Sequence, residues 1–379
     1  MALSKNNFPG TWIEHDRKVR PYIWNHRILS WAGKLVGLVF LGHLFFSQSA
    51  QSLEWWLQGQ ISGGFGLWLA YFGILTAAWQ ILSFPFSLGH YVTERRYGLS
   101  RQSLGAWFVD VLKGLAVGAV LGTLALGLLY LAVLFSPRYW WFLAFVLLFG
   151  FSFLLAPLAP VVLIPIFMTL KPMEANALKE RLLALCKRFS VEVKDVYHLG
   201  LGEKTEKGNA AFMGLGRTKR IMIGDTLYEK YSANEVEAVF AHELGHQVHN
   251  DLWKGIGLSA VLMVLGFYLA ARACELFFFP SFLTQIEKPF GLLIFFIVFS
   301  LVQTPFGLLQ VLFSRARERA ADRFAFEKIG VGAPLADALE KLTFQNWGYF
   351  KPNALLEFFT YSHPAPWRRI LRIRSEAAA

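Results

Sequence analysis

Residues Gly114 to Phe135 read GLAVGAVLGTLALGLLYLAVLF, 22 residues without one charge. A helix rises about 1.5 Å per residue and a bilayer's hydrocarbon core is about 30 Å thick, so this stretch is long enough to cross a membrane. Five others are also long and apolar, Leu29 to Phe46, Ile61 to Leu88, Trp140 to Phe167, Gly255 to Phe279 and Phe290 to Phe313, with charges only at Lys34 in the first and at Arg272 and Glu275 near the far end of the fourth of these. Pro157, Pro160 and Pro165 should kink or end the span from Trp140, because proline removes a helical hydrogen bond and clashes with the preceding turn.

The whole chain agrees. Of its 379 residues 55% are hydrophobic and only 17% charged, with 36 Phe and 13 Trp. A disordered chain lacks that aromatic content and a soluble domain carries more charge, so both classes are excluded. Cys186 and Cys274 are too few for a disulfide framework. The net charge of +11 is dispersed between apolar segments rather than gathered on one soluble face, which argues for membrane orientation and against a nucleic-acid partner. Residues 1–28 hold five Lys or Arg and 89–113 hold four, whereas 47–60 hold none and the other two intervening loops hold one each, Arg138 and Lys288. Lys and Arg accumulate on the cytoplasmic side, so six spans with both termini inside are expected, with the polar segments 168–254 and 314–379 on that same side. The organisation is then a four-span region (1–167), a polar segment (168–254), a two-span region (255–313) and a C-terminal polar segment (314–379). The N-terminus shows no cleavable signal pattern, so the first span is expected to direct insertion.

Within the first polar segment, Leu178, Leu182, Leu185, Cys186 and Phe189 recur at helical spacing, which predicts an amphipathic helix over Ala175 to Phe189. Asp195 to Leu201, Ala210 to Leu215 and Lys219 to Ile223 are short β-rich runs that predict a small sheet. Ser232-Ala-Asn-Glu235 is a capping box, and the helix it starts should continue through Asn250. That helix contains His242-Glu243-Leu-Gly-His246. Histidines four apart share one helix face, so both can reach one metal ion, and the glutamate is placed to take a proton from a water that zinc has acidified. Gly245 costs about 1 kcal/mol of helix propensity relative to Ala, a sign that something approaches the helix closely there. Two histidines leave a third ligand to find. His249 lies one turn further along nearly the same face, but three ligands from one straight helix do not readily surround an ion. Glu318, in Ser314-Arg-Ala-Arg-Glu-Arg-Ala-Ala-Asp322 just after the last span, is the better candidate.

These residues together resemble a known family, the type I CAAX prenyl endopeptidases, integral-membrane zinc metallopeptidases. The resemblance covers most of the chain and rests on HELGH, on SRARERAAD, on Gly208-Asn-Ala-Ala-Phe212, on Arg220 to Thr226, on Phe84-Pro-Phe through Glu94-Arg-Arg-Tyr-Gly98, and on His363-Pro364. It implies an all-α membrane bundle of about six transmembrane helices, with a small cytoplasm-facing α+β zinc metallopeptidase region enclosing an intramembrane chamber. It also implies one zinc per chain held by His242, His246 and Glu318, with Glu243 as base and Asp322 orienting a ligand from behind. Asn209 and the strand Ala210, Ala211 and Phe212 would line the substrate, and His363 and Arg369 would reach the zinc site. The departures are Ala211, where the family usually has Tyr, a changed stretch from Gly202 to Gly208, and no counterpart of an additional N-terminal span. The first two bear on substrate preference. The implied partners are the lipid bilayer and a peptide or protein substrate, prenylated or membrane-bound. The implied location is a bacterial inner membrane, or the endoplasmic reticulum membrane of a eukaryote. The competing readings are a catalytically idle lipid- or peptide-binding scaffold of the same fold and, more remotely, a transporter, whose ionisable groups would lie nearer the bilayer midplane.

Overall fold

The computed structural model describes residues 8–278 and 285–377. Six of its helices are long and apolar enough to cross a membrane: Gly10–Phe46, Gly64–Arg96, Leu104–Phe135, Trp140–Phe167, Asp251–Phe277 and Pro289–Ile329. Each matches a stretch expected from the sequence, except that the second begins at Gly64, with Ile61 to Gly63 in the connection before it, and that Phe279, the expected end of the fifth span, lies outside the described residues. The helices outrun the bilayer because their polar ends also pack. Trp12, in the first turn of the first helix, is fully buried, stacks on Phe350 at 4.6 Å and donates to Glu340 at 2.6 Å. The first span is thereby bolted to the C-terminal polar segment.

The prolines of the fourth span do not end it. The helix passes through a π-helical turn at Ala159–Leu163 and resumes at Ile164–Phe167. The sixth span also runs on without a break, as one helix Pro289–Phe324, through the whole SRARERAAD motif. The expected dividing lines at 254/255 and 313/314 therefore fall inside continuous helices.

Four buried apolar clusters hold the described residues together, the two largest lying among the spans and beneath the sheet. Trp68, Leu129, Trp140, Phe267, Cys274 and Phe295 join spans two to six at the end remote from the sheet. Small residues permit close crossings, as expected where helices meet without a hydrophobic driving force. A Cβ on Gly89 would meet Leu29 at 2.8 Å, and one on Gly266 would meet Gln303 at 3.0 Å. The second cluster, with Leu182, Val196, Ile221, Ile223, Val236, Phe240, Leu244 and Phe324, packs the amphipathic helix Ala177–Arg188, the sheet and the motif helix Ala233–Val248 onto the end of the sixth-span helix.

The sheet has four strands in the order β1 (Leu170–Pro172), β2 (Val196–Leu199), β4 (Arg220–Gly224), β3 (Ala210–Met213). β2 and β4 are parallel and the outer pairs antiparallel. β1 was not expected. β3 forms one edge, with Ala211 opposite Met222 and Phe212 opposite Ile221.

Candidate active site

The motif helix starts at the expected capping box: Ser232 accepts from the Glu235 amide at 3.3 Å, and the Glu235 carboxylate accepts from the Ser232 amide at 2.8 Å. His242 and His246 project from one face toward the sixth-span helix. Gly245 is what lets the two helices meet there, since a Cβ on it would lie 3.1 Å from the Ala321 Cα. The crossing brings Glu318 between the histidines, with His242 Nε2 3.3 Å from Oε2 and His246 Nε2 3.4 Å from Oε1. One ligand atom from each of the three residues lies within 4.8 Å of the others. Glu318 Oε2 is buried without a hydrogen-bond donor. A buried carboxylate oxygen left so, beside two imidazoles presenting Nε2, is a donor set that suits a divalent metal.

Behind these atoms the other imidazole nitrogens are fixed. His242 Nδ1 lies 3.0 Å from Asp322 Oδ1, and His246 Nδ1 lies 2.9 Å from Asp251 Oδ2. Burial pulls the His242 pKa down, and the carboxylates of Asp322 and Glu318 more than offset this, leaving it raised to about 9. Asp322 is 1% exposed. It takes a forked pair of hydrogen bonds from Arg369, at 2.7 Å from Nη2 and 3.0 Å from Nε, and another from Arg372 at 3.1 Å. Arg369 Nη1 is 3.5 Å from Glu318 Oε2. The arginine does reach the site, but its guanidinium is already engaged by two carboxylates, which makes it a group that positions Asp322 and Glu318.

His363 Nε2 lies 3.1 Å from Glu318 Oε1 on a largely exposed side chain. Glu243 forms no hydrogen bond or ion pair among the described residues. His249 is not drawn into the group; it caps the helix end, with its ring against Phe324. On β3, Phe212 packs on Phe240 of the motif helix at 5.3 Å, and Ala210 faces the same cluster. The Gly224 amide donates to the Asn209 carbonyl at 2.9 Å. Antiparallel pairing alternates, so the backbone groups of Ala210 and Phe212 point to the free edge. Asp251 is the residue that the sequence reading missed.

Residues 172–377 match the model of peptidase family M48, and residues 17–169 match that described as "CAAX prenyl protease N-terminal, five membrane helices". The chain is similar to CAAX prenyl protease 1 of Saccharomyces cerevisiae, 27% identical over 323 residues, 80% of this chain and 71% of that protein. It is 29% identical over 315 residues to the CAAX prenyl protease 1 homolog of Arabidopsis thaliana, 80% of this chain and 72% of that one. Its fold is that of the crystal structure of S. mikatae Ste24p, with a TM-score of 0.84 over 98% of this chain and 92% of the other at 24% identity. Six spans and a buried His/Glu site beside a small sheet, together with these matches, define an integral-membrane metalloendopeptidase. The chain belongs to peptidase family M48.

Proposed function

We propose that the metal is a single zinc ion held by His242, His246 and Glu318, and that the enzyme cleaves peptides presented at the membrane, including prenylated ones of the kind its relatives' names indicate. The observation that carries the ligand set is the undonated Glu318 Oε2 beside two inward Nε2 atoms. Bound there, zinc supplies a Lewis acid that polarises the scissile carbonyl and acidifies a water. Asp322 and Asp251 hold the two Nδ1 atoms, which fixes the Nε2 atoms toward the centre. Glu243, free of other partners, takes the proton from the attacking water and passes it to the leaving amine. His363 is placed to donate to the charge that develops on the carbonyl oxygen. The outward backbone groups of Ala210 and Phe212 take the peptide as an added strand, with Asn209 and Ala211 facing away from the Phe240 side. The six spans would form the walls of the intramembrane chamber from which the peptide reaches this edge. The Lys and Arg asymmetry puts the sheet, the site and both termini on the cytoplasmic side.

The test compares zinc content and cleavage of matched reporter peptides, with and without a prenyl group, by the parent and by Glu243→Gln. The expected result is one zinc in both proteins, with turnover about 10²- to 10⁴-fold lower in the variant. Equal cleavage by the zinc-loaded variant would refute the assignment of the base. Preferred cleavage of the unprenylated peptide would refute the substrate.

A further inference from the structure

We infer that a pocket beside the active site binds the phosphate of an anionic phospholipid. The pocket has a volume of 660 Å³ and lies between the end of the sixth-span helix and the C-terminal helix Pro366–Ala377. Five arginines line it, Arg315, Arg319, Arg368, Arg369 and Arg372, against one carboxylate, Glu357. That carboxylate is itself buried and already accepts from the Ala365 amide at 3.1 Å. Arg369 and Arg372 are answered from behind by Asp322, and Arg315 donates to the Glu357 and Phe358 carbonyls at 3.2 and 2.9 Å. Arg319 has no hydrogen bond or ion pair among the described residues, and Arg368 is 3.5 Å from Glu357 on a half-exposed side chain. Two guanidiniums with donors to spare, in a basic concavity, call for an anion, and a tetrahedral phosphate matches their fork geometry.

The position says which anion. Leu312, Arg315 and Arg319 share one face of the helix, and Leu312 is the penultimate residue of the expected apolar span, so the pocket opens at the membrane boundary. Beside its mouth the short helix Ala354–Thr360 exposes Leu355, Phe358 and Phe359 at 70%, 43% and 57%. Apolar side chains bared next to a basic pocket at the end of a span fit acyl chains below a headgroup, which a soluble phosphate compound would not use.

The experiment measures binding of phosphatidylglycerol, phosphatidylcholine and inorganic phosphate to the full chain in neutral detergent, by native mass spectrometry. Phosphatidylglycerol should be retained at least tenfold better than phosphatidylcholine. Arg319→Gln should weaken that binding about tenfold and Arg319→Glu should abolish it, with zinc content unchanged as the check on folding. Arg20→Gln, an exposed arginine in the N-terminal part of the first helix, should have no effect. Equal retention of the two lipids, or equal loss with Arg20→Gln, would overturn the site. Inorganic phosphate competing at the lipid's own affinity would make it a free-anion site. Displacement of the lipid by the carboxylate terminus of a substrate peptide would make it part of the substrate cleft. Either result would overturn the lipid assignment.

Discussion

Gly245→Ala tests whether the helix crossing sets the geometry of the metal site. The added Cβ would stand 3.1 Å from the Ala321 Cα and 3.2 Å from Phe324 Cβ, where ordinary contact begins at 3.4 Å. The nearest obstacle is backbone, so the helices themselves must part by about 0.3 Å. Glu318 is one turn from Ala321 on the same helix, and Gly245 stands between His242 and His246 on the other. The displacement therefore acts on the separation between the histidines and the carboxylate. Metal sites tolerate distance errors of about 0.2 Å, so affinity should fall at least tenfold. Stability moves less, because about 1 kcal/mol of gained helix propensity is set against about 1 to 3 kcal/mol of overpacking. The assay is competition for zinc against a chromophoric chelator, with the melting temperature measured alongside. Gly257→Ala is the control, since nothing lies within 4 Å of its new Cβ. Parent-like zinc affinity in Gly245→Ala would refute the argument.

Three further predictions concern the site and its orientation. Asp251→Ala releases His246 Nδ1 and should weaken zinc binding roughly 10- to 100-fold, read by the same competition assay. His363→Ala should keep its zinc and lose about 10²- to 10³-fold in kcat, read on one reporter peptide. Cysteine probes should be labelled from outside the cell at Ser52 and remain unlabelled at Glu14 and Ser375; Cys186 and Cys274 are buried and add little background.

The membrane helices were legible because apolar runs of span length have few other uses, and the HELGH helix because its capping box, spacing and glycine agree. The structure adds the reason for the glycine, which faces Ala321 across the helix crossing. β1 escaped notice because three residues ending in Pro172 carry no alternation, and proline is tolerated there only because the strand is an edge. Asp251 escaped because five residues past His246 on a straight helix would face away. Asn250 adopts a left-handed conformation, φ 55°, which breaks the helix and turns the next residue back toward the histidine. An Asn-Asp pair closing one helix and opening another is the signal that was available. Arg369 could be placed near the site but its role could not be read, because its partner Asp322 lies 47 residues earlier on a different helix.

The continuity of the sixth-span helix also sets the height of the site above the bilayer. Glu318 is five residues past Phe313, where the apolar stretch ends, and at about 1.5 Å per residue it stands about 7.5 Å further along the helix than that end. No hinge intervenes before Phe324, so that height is fixed by the span rather than by a mobile loop. An extended peptide advances about 3.3 Å per residue, so a substrate held in the membrane reaches the site with its scissile bond two or three residues from the anchor. Such a substrate is delivered at high effective concentration, and a longer tether loses that advantage without losing any contact to the enzyme. Reporter peptides carrying the same lipid at two, six and twelve residues from the cleaved bond should therefore show KM rising with spacer length while kcat stays constant. A KM independent of spacer length would mean that the site does not measure distance from the membrane, and that the sixth span serves only to carry Glu318.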